Sequence, residues 1–220
     1  MTDFDFAIII KSIPFLLEGM WVSLLLTLLA ITGGLILGVL LALCRLAPYT
    51  WLSFAAGTYV NFFRSMPLIL IIFWFYFLVP FILGRPVGSF YSVLTAFVMF
   101  EAAYYCEIIR AGIQSVRTGQ VYAGQALGLT YAQNMRFVVL PQAFRAMMPI
   151  LLTQSIIMFQ DTSLVYVVGL RDFLVAADIV ANRDNRLMEM YMTVAIVYFA
   201  LCLVGQLGIH KLQKKFPTGR

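Results

Sequence analysis

The chain has 220 residues, 62% of them hydrophobic and only 11% charged, with a mean hydropathy of +0.93. A soluble fold of this length needs a far more charged surface, so the composition excludes one and describes a chain solvated by lipid. The net charge of +5 does not indicate nucleic acid, because no basic run is interleaved with a solvated domain that would present it.

Cut at its charges, the chain has uncharged runs at 19–44, 65–84 and 190–209, of 26, 20 and 20 residues. Each is long enough to cross a hydrocarbon core of roughly 30 Å at about 1.5 Å per residue. The expected architecture is an all-α, multi-pass membrane protein forming one domain over 1–220. Its five transmembrane helices fall at about 19–43, 52–83, 89–109, 147–168 and 190–209.

Ahead of the first span, Asp3, Asp5 and Glu18 stand against a lone Lys11, the wrong charge for the start of a signal peptide, so this span is expected to remain uncleaved. The second run is longer than one span needs and is interrupted by Arg64-Ser65-Met66-Pro67. Its first half, 51–63, reaches only roughly 20 Å as a helix, so one long element kinked at Pro67 is preferred over two spans. The loop 110–145 holds four arginines and no acid, and the tail 210–220 holds Lys211, Lys214, Lys215 and Arg220 and no acid. The positive-inside bias puts both in the cytoplasm, and with five spans the N-terminus and the stretch 169–189 lie on the periplasmic side.

No phosphate-cradling G-x-x-x-x-G-K-[ST] occurs, and His210 is the only histidine. Cys44, Cys106 and Cys202 each sit in or beside an apolar run. Catalytic residues, a metal site, a disulfide framework and a cofactor are therefore not expected, and the chain is not read as an enzyme.

Between the third and fourth spans the chain reads Gly119-Gln120-Val121-Tyr122-Ala123-Gly124-Gln125-Ala126-Leu127-Gly128-Leu129-Thr130 and then Val138-Val139-Leu140-Pro141. Gly128 is placed to stop a short helix in a left-handed turn, and Thr130 with Gln133 forms a capping box that starts the next. Two short helices at an angle are expected, with Pro141 pushing Leu140 into an extended conformation before span four.

At these residues the chain resembles the permease subunits of ABC importers, whose cytoplasmic loop has the form E-A-A, a short spacer, G, a longer spacer, then I-x-L-P. Gly128 and Val138-Val139-Leu140-Pro141 match it, while the Glu-Ala-Ala triplet has become Tyr122-Ala123-Gly124. Further stretches, Phe63-Arg64-Ser65-Met66-Pro67-Leu68, Tyr105-Cys106-Glu107-Ile108-Ile109-Arg110-Ala111-Gly112-Ile113 and Asp161-Thr162-Ser163-Leu164, resemble the polar amino acid branch. Phe100-Glu101-Ala102-Ala103-Tyr104-Tyr105 and the stretch 159–167 look most like a glutamate/aspartate permease subunit.

The resemblance implies a type I importer permease fold in the inner membrane, with 110–145 as a coupling-helix loop. It implies a pore dimer with a homologous permease, two copies of an ABC ATPase and a periplasmic amino acid binding protein. The ATPase contact would fall on Gly119, Tyr122, Ala123, Gly124, Ala126, Leu127, Gly128 and Pro141.

Ionisable groups at bilayer depth cost at least ~3 kcal/mol on insertion scales, so they mark a bundle interior or a wet path. Glu101 lies 12 residues past Ser89, roughly 18 Å into the third span, and Tyr104 and Tyr105 share its face. This set suits either a ligand's ammonium group or a network locking spans together. Asp161 is one heptad from Gln154, with Thr162 and Ser163 following, and is a candidate for substrate contact or for an interhelical hydrogen bond. Glu107 is expected to pair with Arg110 one turn on. Arg64 at the kink offers a planar fork to a carboxylate, while the resemblance implies a general or structural role for it. Gly34 and Gly38 form a G-x-x-x-G that predicts close helix packing.

Two acids and few bases at this depth suit an ammonium group, so on charge alone a neutral or basic amino acid is the alternative substrate. An ion-coupled secondary carrier is a further alternative, although the inverted repeats expected there are not found.

Overall fold

In the computed structural model, which describes residues 4–215, the apolar runs become helices and no described residue lies in a strand. Helix α1 (Phe6–Leu46) has 41 residues, roughly 60 Å, and begins 13 residues before the expected span. The charges at Lys11 and Glu18 bound the uncharged run but do not stop the helix, because a helix that has left the hydrocarbon tolerates them.

The second run corrects the expectation of a kinked element. Helix α2 (Thr50–Arg64) and helix α3 (Leu68–Leu83) are separate, bent by 104° at the break. Pro67 takes an extended conformation (φ −60°, ψ 135°) and stands just before α3, while Ser65 closes α2. A proline drives the residue before it, Met66, away from the α region, so the chain turns a corner instead of bending a continuous helix. A π-helical stretch, Trp74–Leu78, lies within α3, and Gly84 ends it in the left-handed conformation.

Helix α4 (Ser89–Gln114) is followed by the short α5 (Thr118–Ala126). Helix α6 (Tyr131–Val168) holds a π-helical stretch at Met135–Val139, an α-helical body at Leu140–Asp161 and a 3₁₀ end at Thr162–Val168. Two expectations fail here. Leu140 is helical (φ −60°, ψ −41°), not extended, and the second helix of the loop is not short but runs on into span four. The π stretch explains both: widening the helix ahead of Pro141 relieves the clash its ring makes with the preceding turn, and Leu140 N–H donates to Met135.

The expected periplasmic stretch contains helix α7 (Phe173–Asp184), and α8 (Leu187–Lys215) follows. Asp172 caps α7 by accepting from Val175 N–H, and Asn185 closes it with φ +54°. Helices α1, α4, α6 and α8 are long and apolar enough to cross a membrane, and the bent pair α2–α3 supplies a fifth crossing when taken as one broken span.

The chain divides into two compact units, each assembled from separate segments. One unit comprises the residues up to Thr32, Met66–Val98 and Ser155–Gln206. Its core joins Leu16 and Met20 of α1 to Phe159, to Phe173, Ala176, Ala177, Val180 and Ala181 of α7, and to Met190 and Val194 of α8. The small residues of α7 let it lie close on α1, where a Cβ at Gly19 would come within 2.7 Å of the Ala176 Cβ.

The other unit comprises Gly33–Ser65, Met99–Gln154 and the residues from Leu207. In it the G-x-x-x-G of α1 meets α4: a Cβ on Gly34 or Gly38 would stand 2.7 Å from the Cβ of Glu101 or Tyr105. That is the close backbone approach small residues permit.

Candidate functional site

In the unit starting at Gly33, the polar residues of α4 divide by burial. Glu101 is fully buried, and its Oε1 accepts a hydrogen bond of 3.0 Å from Nε2 of Gln154, itself buried on α6. The pair fastens α4 to α6. Tyr105 is also enclosed, against Gly38. This geometry favours the locking network over the ammonium site for Glu101 and Tyr105. Tyr104 is half-buried, and the Arg64 guanidinium lies over its ring at 5.4 Å.

Glu107 pairs with Arg110 as expected, Oε2 to Nη2 at 2.7 Å, but Arg45 also donates to its Oε1 at 2.6 Å and Arg64 stands 3.8 Å from Oε2. One carboxylate thus gathers three guanidinium groups. Sequence reasoning missed Arg45. The available signal was position: it is the first charge after the long uncharged run that opens at Gly19. Arg64 is the most accessible of the three, its side chain 42% exposed.

In the other unit, Asp161 is half-buried and its carboxylate makes no hydrogen bond among the described residues. The hydroxyls after it are committed as donors: Thr162 Oγ1 donates to the Phe159 carbonyl at 2.7 Å, and Ser163 Oγ to the Gln160 carbonyl at 2.8 Å. Ser163 presents lone pairs elsewhere, whereas Thr162, expected beside the substrate, is fully buried with its Oγ1 3.5 Å from the Tyr198 hydroxyl. An anionic oxygen pair beside a hydroxyl acceptor is chemistry for a cation such as an ammonium group.

The hairpin between α4 and α6 is a structure in its own right. Gly128 has φ +79°, the Leu129 N–H donates to the Gly124 carbonyl at 3.1 Å, and the Gly128 N–H to the Gln125 carbonyl at 2.9 Å. This is the Schellman closure that a left-handed glycine allows. Thr130 and Gln133 form the reciprocal capping box.

Sequence reasoning missed the third fastening. Buried Asn134 donates from Nδ2 to the Val121 carbonyl at 2.8 Å, and its carboxamide fills the space a side chain at Gly124 would take. The hairpin therefore holds its angle through backbone and side-chain bonds together. Its outer surface carries Tyr122, Leu127 and Tyr131, the last two 82% and 78% exposed, with Gly119, Ala123 and Ala126 also exposed and Pro141 exposed at the start of the α6 body. Large apolar side chains held rigidly outside any apolar run mark a protein-binding surface.

The chain is similar over nearly its whole length to known transport proteins. The family described as "Binding-protein-dependent transport system inner membrane component" matches residues 34–216. The glutamate/aspartate import permease protein GltK of Escherichia coli O6:H1 is 45% identical over 222 residues, covering 98% of this chain and 99% of that protein. The arginine transport system permease protein ArtQ of Bacillus subtilis is 33% identical, covering 92% of each. Among solved structures, the crystal structure of an amino acid ABC transporter with histidines superposes with a TM-score of 0.92 at 32% identity, over 98% of this chain and 100% of that one.

Proposed function

This chain belongs to the family of binding-protein-dependent transport system inner membrane components and is a permease subunit of an amino acid ABC importer; on that premise we propose that it forms one half of a two-permease pore for glutamate and aspartate. The substrate assignment rests on the 45% identity to a glutamate/aspartate permease across nearly the whole of both chains. The other pore half is a homologous permease, two ATPase copies seat on the α5–α6 hairpin, and a periplasmic binding protein delivers substrate. The N-terminus faces the periplasm, and the hairpin and C-terminus face the cytoplasm, as the charge bias supports.

One observation carries the mechanism: the hairpin is locked at Gly128, at Thr130–Gln133 and at Gly124–Asn134 while Tyr122, Leu127 and Tyr131 stand exposed. An ATPase that grips those side chains moves the hairpin as one body, and the continuous helix of α6 carries the motion toward Gln154 and Asp161. Nucleotide shifts the pore between inward-open and outward-open states by binding them unequally. Asp161 receives the substrate α-amino group, with Ser163 offering lone pairs beside it and Thr162 supporting the turn from within. Arg64, accessible and weakly held, receives a substrate carboxylate separately. Glu101, Gln154 and Tyr105 support the helices that carry these groups.

The test is ATP hydrolysis by the reconstituted importer with its binding protein. Glutamate and aspartate are expected to stimulate it, and stimulation by arginine or glutamine instead would transfer the assignment to the other polar amino acids. Ion-gradient-driven uptake by this chain without an ATPase would overturn the importer reading altogether.

A further inference from the structure

Where α1 ends and α2 begins, a groove of about 330 Å³ opens, lined by Arg45, Thr50, Ser53, Gly57, Thr58 and Asn61. Its volume is at the lower end of small-ligand sites, roughly 300–1,000 Å³. Three hydroxyls, a carboxamide and a guanidinium stand in it beside the ring of Phe54.

The guanidinium is oriented. Arg45 uses Nη1 on Glu107, while Nε and Nη2 donate to nothing among the described residues. The flat of the guanidinium covers Gly57, where a Cβ would lie 3.8 Å from the Arg45 Cζ and 4.0 Å from both Nε and Nη2, so Gly57 does not occupy that second edge. Two parallel N–H groups on one edge of a guanidinium match two oxygens of a phosphate. The charge is in surplus as well, three arginines meeting the single carboxylate of Glu107.

Depth identifies the source of the phosphate. Tyr49 and Trp51 beside the groove are 62% and 71% exposed, and Leu43 at the end of α1 is exposed too. Exposed tyrosine and tryptophan at the end of a membrane-crossing helix mark the headgroup level, where aromatic belts sit. Basic pockets between helices at that level recognise anionic lipid.

We propose that the α1–α2 groove is a binding site for the phosphate of an anionic phospholipid in the leaflet where α1 ends, held by the Nε–Nη2 edge of Arg45 with the hydroxyl of Thr50 alongside. The lipid bridges α1 and α2 through the same arginine that anchors Glu107 of α4.

The importer, purified with its partner subunits, is exchanged into phosphatidylcholine nanodiscs containing phosphatidylglycerol, and the lipids it retains are read by native mass spectrometry. The wild-type importer is expected to retain phosphatidylglycerol over phosphatidylcholine. Gly57→Leu, which sets a side chain against the Arg45 guanidinium from the half-buried side of the groove, is expected to lower that retention about tenfold, a loss of about 1.4 kcal/mol. Arg45→Lys keeps a cation on Glu107 but removes the fork, and is expected to lower retention while the melting temperature stays near wild type. Equal retention of the two lipids, or undiminished phosphatidylglycerol retention in Gly57→Leu, would overturn the site. Saturable binding of inorganic phosphate by the detergent-solubilised importer, without a preference for phosphatidylglycerol, would overturn the lipid in favour of a soluble anion.

Discussion

Gln154 and Glu101 meet as a buried carboxamide and carboxyl, 3.0 Å apart, linking α6 to α4. A polar pair placed so deep stabilises only while both members are present, because either one left behind keeps its desolvation cost without its bond. Gln154→Leu is accordingly expected to destabilise the permease by about 1–3 kcal/mol. Glu101→Gln in that background is expected to recover part of the loss. Thermal melts of the two single variants and the double variant in detergent decide this, and additive losses would show the two positions to be energetically independent.

The contact between Gly124 and Asn134 gives a sharper prediction for the hairpin. A methyl group at 124 would stand 2.8 Å from the Asn134 Cγ, so Gly124→Ala has to open the angle between α5 and α6. The cost is expected at about 1–3 kcal/mol, the range for overpacking a close contact. ATP hydrolysis and uptake in the reconstituted importer are expected to come apart in this variant. Adding Asn134→Ser, which vacates the space, is expected to restore coupling. Coupled transport by Gly124→Ala alone would remove the hairpin as a rigid lever.

Asp172 gives the permease a pH-dependent stability. It is fully buried in the turn before α7, and burial pushes its carboxyl up to about 6 despite the Val175 N–H it accepts. A folded-state value above the ordinary 3.8 means the folded chain holds its proton longer than the unfolded chain. The associated stability is complete below about pH 4, falls as pH rises toward 6, and is absent at neutral pH. Asp172→Asn keeps a good cap residue and removes the charge. It is expected to flatten the stability profile between pH 4 and 6 and to raise the melting temperature at pH 7, by up to ~3 kcal/mol of stability. A variant profile parallel to wild type would locate the pH response elsewhere.

Asp161→Asn tests the amino-group assignment. Loss of the anionic charge is expected to weaken uptake of every amino acid the importer carries, by about tenfold or more, since a hydrogen bond between charged groups is worth about 1.5–3 kcal/mol. A loss confined to glutamate and aspartate would assign Asp161 to side-chain discrimination, and unchanged uptake kinetics would take it out of the site.

The sequence by itself determined the membrane class, the apolar runs behind the crossings, the Gly128 turn and the Thr130 capping box. These depend on composition, on hydropathy over a window and on residues three or four apart, all of which are local. The break at Pro67 and the continuity of α6 through Pro141 were not legible, because both prolines carry the same local penalty. In one case the chain turned a 104° corner, and in the other a π stretch absorbed the ring within a continuous helix. Tertiary structure alone decided which charges are partners. Arg45 reaches Glu107 across 62 positions and Gln154 reaches Glu101 across 53, and no pattern along a single helix records contacts made between helices so far apart in the chain.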